Sequence, residues 1–146
     1  MKEIWVFMAF VAGTLLPIQA ALNTRMGKAI ESPAYATLIS FIAGTIVVAL
    51  YIIFTRQHVA WQGIKTVPWY TWLAGGLGAF YVMVSILAFP RIGPALTFAL
   101  VVGGQMVMAL ILEHFNILVA QQHSINIWRI LGVALIIGGV IIIRKF

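Results

Sequence analysis

The sequence predicts an all-α integral membrane protein with five transmembrane helices, and two observations carry that prediction. Hydrophobic residues make up 63% of the 146 residues and charged residues only 8%, with a mean hydropathy of +1.08. Such a chain has too little polar surface to cover a water-soluble globule. Breaking it at its charges leaves, among others, uncharged runs at 4–24, 32–55, 66–90, 92–112 and 130–143. About 20 apolar residues cross ~30 Å of hydrocarbon, so the first four runs qualify outright. The fifth has 14 residues. Trp128 and Arg129 extend it, because a long cationic side chain near a helix end reaches the headgroups while its stem stays in the apolar layer. The expected helices cover residues 4–25, 33–55, 68–89, 93–113 and 126–144 of a single membrane domain, 1–146.

Helix one opens with Lys2 and carries small residues at Ala20 and Ala21, a pattern that imitates a cleaved signal peptide. The expectation is that it is retained as structure. Pro17 has no amide proton and its ring crowds the carbonyl of Gly13, which predicts a kink there. Freed backbone groups at membrane depth need protein or water as partners, so this helix is expected to face a bundle interior or a cavity. Gln19 and Asn23 are four residues apart and share a face. Helix–helix hydrogen bonds and a substrate-facing role are both open to them.

Helix three offers Gly75, Gly76 and Gly78 for packing and Tyr81 and Ser85 as polar groups. Helix four starts at Gly93 and Pro94, where proline is tolerated, and carries Gly103, Gly104 and Gln105. Taking each run's centre as the midplane and ~1.5 Å of rise per residue, Gln19 lies about 7 Å and Tyr81 about 4 Å toward the side where helix one ends, whereas Gln105 lies about 4 Å toward the other. Glu113, at the end of helix four, has two readings: an interface carboxylate paired with a cation such as Arg129, or a gate or proton-coupling group with His114 as a titrating neighbour. No carboxylate lies near the centre of a span. Exporters coupled to protons generally place an ionisable group inside the membrane, so a polar, neutral or weakly amphipathic substrate is favoured over an obligatory cation. Helix five carries Ala134 and Gly138 in a small-xxx-small spacing, with Gly132 and Gly139 widening the groove, and is read as a dimer-packing helix.

An odd number of spans puts the termini on opposite sides. The N-terminal side, side A, receives Lys2, Arg56, Lys65 and Arg129, and side B receives Arg25, Lys28, Arg91, Arg144 and Lys145. Orientation normally follows a Lys/Arg excess on the cytoplasmic side. Four against five is no excess, so the chain is expected to insert both ways round. All five tryptophans, Trp5, Trp61, Trp69, Trp72 and Trp128, fall near side A, and two oppositely inserted copies supply an aromatic belt on both faces. The chain has no evident internal inverted repeat, so inverted symmetry would have to come from a second copy.

The net charge of +6 does not indicate nucleic acid, because the cations sit singly at span ends and form no basic stripe. The absence of cysteine excludes disulfides and thiolate metal sites. The three histidines, His58, His114 and His123, lack ligand spacing, so neither metal nor cofactor is expected. No nucleophile–base set points to an enzyme.

The stretches PIQAALNTRMG (17–27), SFIAGT (40–45), GPALTFALVVGGQ (93–105) and EHF (113–115) resemble the drug/metabolite transporter superfamily, specifically its five-helix YdcZ-like branch. LIIGGV (135–140) is similar to the last helix of small multidrug resistance proteins. The resemblance implies an antiparallel homodimer of dual-topology subunits in a bacterial inner membrane, forming a ten-helix transporter. The multidrug proteins carry a membrane-embedded glutamate in helix one, where this chain offers Gln19 and Asn23, so their proton antiport does not transfer. The expected function is alternating-access transport of a small organic solute, with Gln19, Asn23, Tyr81, Ser85 and Gln105 as pathway residues and lipid, solute and a second copy as partners. Other readings left open are a membrane scaffold, one half of a heteromeric complex, and a flippase for a lipid-linked substrate.

Overall fold

The computed structural model describes residues 2–119 and 122–146. Its described residues form five long helices, α1 (Lys2–Ala29), α2 (Pro33–Thr55), α3 (Leu73–Ile92), α4 (Pro94–His114) and α5 (Ile127–Lys145), and no strand. All five are long and apolar enough to cross a membrane. The chain divides into two units, Met1–Arg91 and Ile92–Phe146.

In the first unit α1 runs through Pro17 as one helix of 28 residues, about 42 Å at the usual rise. It continues one turn past Arg25, because charged residues outside the hydrocarbon need not end a helix. Its end is set by hydrogen bonds from Ser32 N to Gly27 O (2.9 Å) and from Glu31 N to Lys28 O (3.4 Å), with Glu31 left-handed at φ 53°. This paired closure usually employs glycine at the left-handed position. Ser32 then caps α2, its hydroxyl accepting from Tyr35 N, and Pro33 occupies the first turn. The end of α2 repeats the device, with Arg56 at φ 49° and Gln57 N donating to Ile52 O (3.3 Å). Between α2 and α3 run two short 3-10 turns, Trp61–Lys65 and Trp69–Trp72. The apolar span runs Trp69–Ile92, against an expected 68–89, and only its part from Leu73 onward is α-helical. Pro68 opens the second 3-10 turn, which is capped by no side chain and uses up the residues that charge alone would assign to the helix.

The core of this unit is small and lies at one end. Ala36, Val82 and Ile86 are buried, with Met26 and Tyr81 packed against them. Every buried residue falls at or after Ala20 in α1, at or before Thr37 in α2, and at or after Val82 in α3. The three helices thus converge toward side B and share little contact toward side A. Gly27 makes the convergence close: a Cβ built there would lie 3.3 Å from Ile86 Cγ2 and 3.5 Å from both Ala36 Cβ and Pro33 Cα.

In the second unit Gly93 adopts φ 81°, which only glycine takes without strain, and Thr97 Oγ1 donates to its carbonyl (2.7 Å). Helix α4 closes through Ile117 N to Leu112 O (2.8 Å), with Asn116 left-handed. Asn126 caps α5, its side chain accepting from Arg129 N at 2.9 Å. The two helices pack at Gly103, where an added Cβ would stand 4.0 Å from Val140 Cγ2.

Candidate functional site

Helix α1 presents Gln19 and Asn23, and α3 presents Tyr81 and Ser85, each pair one turn apart. The two pairs meet around a cavity of about 10 Å³ closed by Leu16, Ala20 and Val82. That is room for roughly one water molecule. Asn23 is 5% exposed and its Nδ2 has no hydrogen-bond partner. Ser85, also buried, donates its hydroxyl to Tyr81 O (2.8 Å) and so retains only acceptor capacity. No acidic, basic or histidine side chain lines this cavity. It can recognise a group by hydrogen bonding, and it carries no formal charge with which to hold an ion.

Gln19 also borders a much larger space. A groove of about 510 Å³ runs along α2, lined by Ser40, Phe41, Gly44, Thr45, Val48 and neighbouring residues, with Gln19 at its edge. This is the size range of small-molecule sites. Thr45 spends its proton on Phe41 O (2.8 Å), leaving its oxygen to accept. The SFIAGT stretch thus supplies a wall of the groove, although the spacing of Ser40 and Thr45 alone gave no sign of it.

The second unit holds the remaining candidates. Gln105 is exposed on α4 and is absent from the lining of the α4–α5 groove, about 330 Å³, which Gly103, Gly104, Val107 and Val140 help to form. Four of the five pathway candidates therefore meet in one unit, and Gln105 belongs to the other. Gly13 is exposed, and an added Cβ would meet nothing within 4 Å. Pro17, one turn on, deprives its carbonyl of the usual amide donor.

Glu113 accepts a hydrogen bond from Arg129 Nη2, and His123 Nδ1 lies 4.0 Å from the same carboxylate oxygen. Arg129 Nη1 donates to His123 O (2.9 Å). His114 accepts from Ile125 N at Nδ1 (3.3 Å) and from Gln122 Nε2 at its carbonyl (2.9 Å). Together Glu113 and His114 fasten the segment before α5 to the end of α4. On α5, Gly138 lies about 160° and Ala134 about 120° round the helix from Val140, at 100° per residue. Both therefore point away from α4, while Gly132 and Gly139 lie on the other flank. A Cβ at Gly132, Gly138 or Gly139 would meet nothing within 4 Å.

Residues 4–142 match the family described as "Putative inner membrane exporter, YdcZ". The chain is 28% identical over 141 residues to the inner membrane protein YdcZ of Escherichia coli (strain K12), covering 92% of this chain and 91% of that protein. No solved structure matches. With nearly its whole length inside the family match and five apolar helices, the chain belongs to the YdcZ family and is a multi-pass inner-membrane protein.

Proposed function

We propose that the chain is a transporter that moves a small, uncharged organic solute across the inner membrane by alternating access, as an antiparallel homodimer. The observation that carries this reading is Asn23, a buried amide with an unused donor, facing Tyr81 and Ser85 across a space the size of a water molecule. An unsatisfied buried donor costs about 1–3 kcal/mol and is expected where a ligand supplies the missing partner. In this conformation the space is closed to an organic solute, while the groove beyond Gln19 is large enough for one. Gln19 borders both, so a solute passing from groove to cavity would exchange its partners there.

The inverted partner is supported by what one subunit leaves bare. Gln19 and Gln105 are exposed within spanning helices, where lipid offers no hydrogen bonds. An oppositely inserted copy brings its Gln105 to nearly the depth of Gln19 and Tyr81, and the small face of α5 at Ala134 and Gly138 gives it a place to pack. The near-equal division of Lys and Arg between the two sides permits the two orientations.

The test is a thermal-shift screen of purified protein against a metabolite panel, followed by flux of each stabilising compound in liposomes for wild type, Asn23→Ala and Tyr81→Phe. Flux lost in the variants with folding intact is the expected result. A chain that binds and moves nothing in either assay is a scaffold, not a transporter.

A further inference from the structure

A third space lies where α1 and α3 end and α2 begins. It measures about 320 Å³ and is lined by Thr24 and Lys28 of α1, Pro33 of α2, and Leu87, Pro90 and Arg91 of α3, with other neighbours. Thr24 and Pro90 each end an uncharged run, and Arg25 and Arg91 follow them. The pocket therefore straddles the boundary between hydrocarbon and headgroups on side B.

Its hydroxyl is unusual. The chain has eight threonines, and seven of them, Thr14, Thr37, Thr45, Thr55, Thr66, Thr71 and Thr97, donate to a carbonyl three or four residues earlier. Thr24 is 6% exposed, and its Oγ1 has no partner. A threonine in a helix ordinarily makes this back-bond or turns its hydroxyl to solvent, and buried Thr24 does neither. Beside it stand two cations. Arg91 Nη1 is tethered to Leu87 O (2.7 Å), which leaves the rest of its guanidinium free to donate outward. The ion pairs found among the described residues all belong to Glu113, so neither Lys28 nor Arg91 is paired with a carboxylate there.

From this we infer that the pocket binds the phosphodiester of an anionic lipid, with Thr24 Oγ1 donating to a phosphate oxygen, Arg91 and Lys28 balancing the charge, and the acyl chains lying against Leu87 and the faces below it. A zwitterionic lipid would bring an ammonium group to a site lined by cations and no acid, so the preference is for a headgroup of net negative charge. This inference stands apart from the transport reading, since it concerns another site.

The experiment is a titration of the full chain, purified in neutral detergent, with phosphatidylglycerol, phosphatidylethanolamine or inorganic phosphate, read by native mass spectrometry and thermal shift. Phosphatidylglycerol is expected to bind and stabilise, the other two far less. Lys28→Gln and Arg91→Gln should each weaken it about fivefold, the usual effect of one cation at an anionic surface. Thr24→Val should weaken it without changing net charge, which decides the matter if the charge variants fold poorly. Arg25→Gln, outside the lining, should leave affinity unchanged. Equal stabilisation by both lipids, equal loss in Arg25→Gln, or no loss in Thr24→Val would overturn the proposal. Inorganic phosphate acting as strongly as phosphatidylglycerol would reassign the site to a soluble anion. If Lys28 and Arg91 serve only to offset the dipoles of α1 and α3, their loss would lower stability equally with and without lipid.

Discussion

Arg129 donates to Glu113 across the connection between α4 and α5, sixteen residues away in sequence, and the same guanidinium holds the carbonyl of His123. One arginine thus ties both the end of α4 and the intervening segment to the start of α5. Both side chains are 29% exposed, so the pair itself contributes about 1 kcal/mol or less. Its larger effect is to hold His123 and its neighbours against the end of α4. Glu113→Gln and Arg129→Gln are each expected to hasten proteolysis between residues 115 and 126, the double variant cleaving no faster than the worse single one. Additive acceleration would mean that the two act separately.

Asn23→Ala separates stability from activity. It removes an unpaired buried donor, a gain of about 1–3 kcal/mol, and leaves a small void that costs a comparable amount. The melting temperature should therefore hold or rise while flux falls at least tenfold. A structural asparagine would lose both together, and parallel melting and flux curves would show it.

Gly27→Ala sets two magnitudes against each other. Alanine favours the helix by about 1 kcal/mol over glycine, but its methyl would lie 3.3 Å from Ile86 Cγ2, and overpacking costs about 1–3 kcal/mol. A net loss of about 1 kcal/mol is expected, relieved in part by Ile86→Leu, which moves the branch one carbon outward. Reversible unfolding in mixed micelles would measure it; a gain in stability would show that Ile86 yields freely.

Glu31 and Arg56 hold left-handed backbone at the ends of α1 and α2. That conformation costs an ordinary residue about 1–2 kcal/mol, and glycine gives back about 0.4–1 kcal/mol through the unfolded chain. Glu31→Gly and Arg56→Gly should each stabilise by about 0.5–1 kcal/mol. Asn116→Gly should change little, because asparagine tolerates this region. Thermal denaturation of the three variants side by side tests the ordering.

Gln57→Lys and Gln62→Lys combined with Arg144→Gln and Lys145→Gln change the division from four against five to six against three and should fix a single orientation. Reporter tags at the termini of the parent chain should appear on both sides of the membrane. The biased variant should be inactive alone and regain activity when produced together with a copy biased the other way. Full activity of the biased variant alone would exclude an inverted pair.

The five helices were legible because the hydrocarbon excludes both charge and polar side chains: the run 114–128 is as free of charge as 130–143 and one residue longer, but polar residues, Gln122, His123, Ser124 and Asn126 among them, mark it as a connection. The pairing of Gln19 with Asn23 and of Tyr81 with Ser85 on single faces was legible from helical period. That those two faces meet was not, since it depends on the close approach at Gly27, Ala36 and Ile86 toward side B, which no local pattern announces. The expected start of helix three at 68 lies within one residue of the apolar span Trp69–Ile92, but that its first four residues form a 3-10 turn after Pro68 was not legible, because Trp69–Trp72 is as apolar as a helix turn. Arg129 was identified as a partner for Glu113, but the roles of Gln122 and the His123 carbonyl were hidden in a connection with no regular period. Glu31 and Arg56 carry none of the glycine signature of a helix end, and Thr24 is distinguished only by a bond it fails to make.

The parity of the helix count reaches beyond the single subunit. A chain with an even number of spans, duplicated head to tail, yields two copies facing the same way unless an extra span is inserted between them. With five, the last residue of one copy and the first of an inverted second copy emerge on the same side of the membrane. A short hydrophilic linker after Phe146 would then join them, and fusion of two copies would deliver opposed halves in one polypeptide without any new membrane-spanning segment. Once fused, each half would be free to accumulate its own charge bias, and the even division of Lys and Arg that a lone subunit keeps would no longer be required of either.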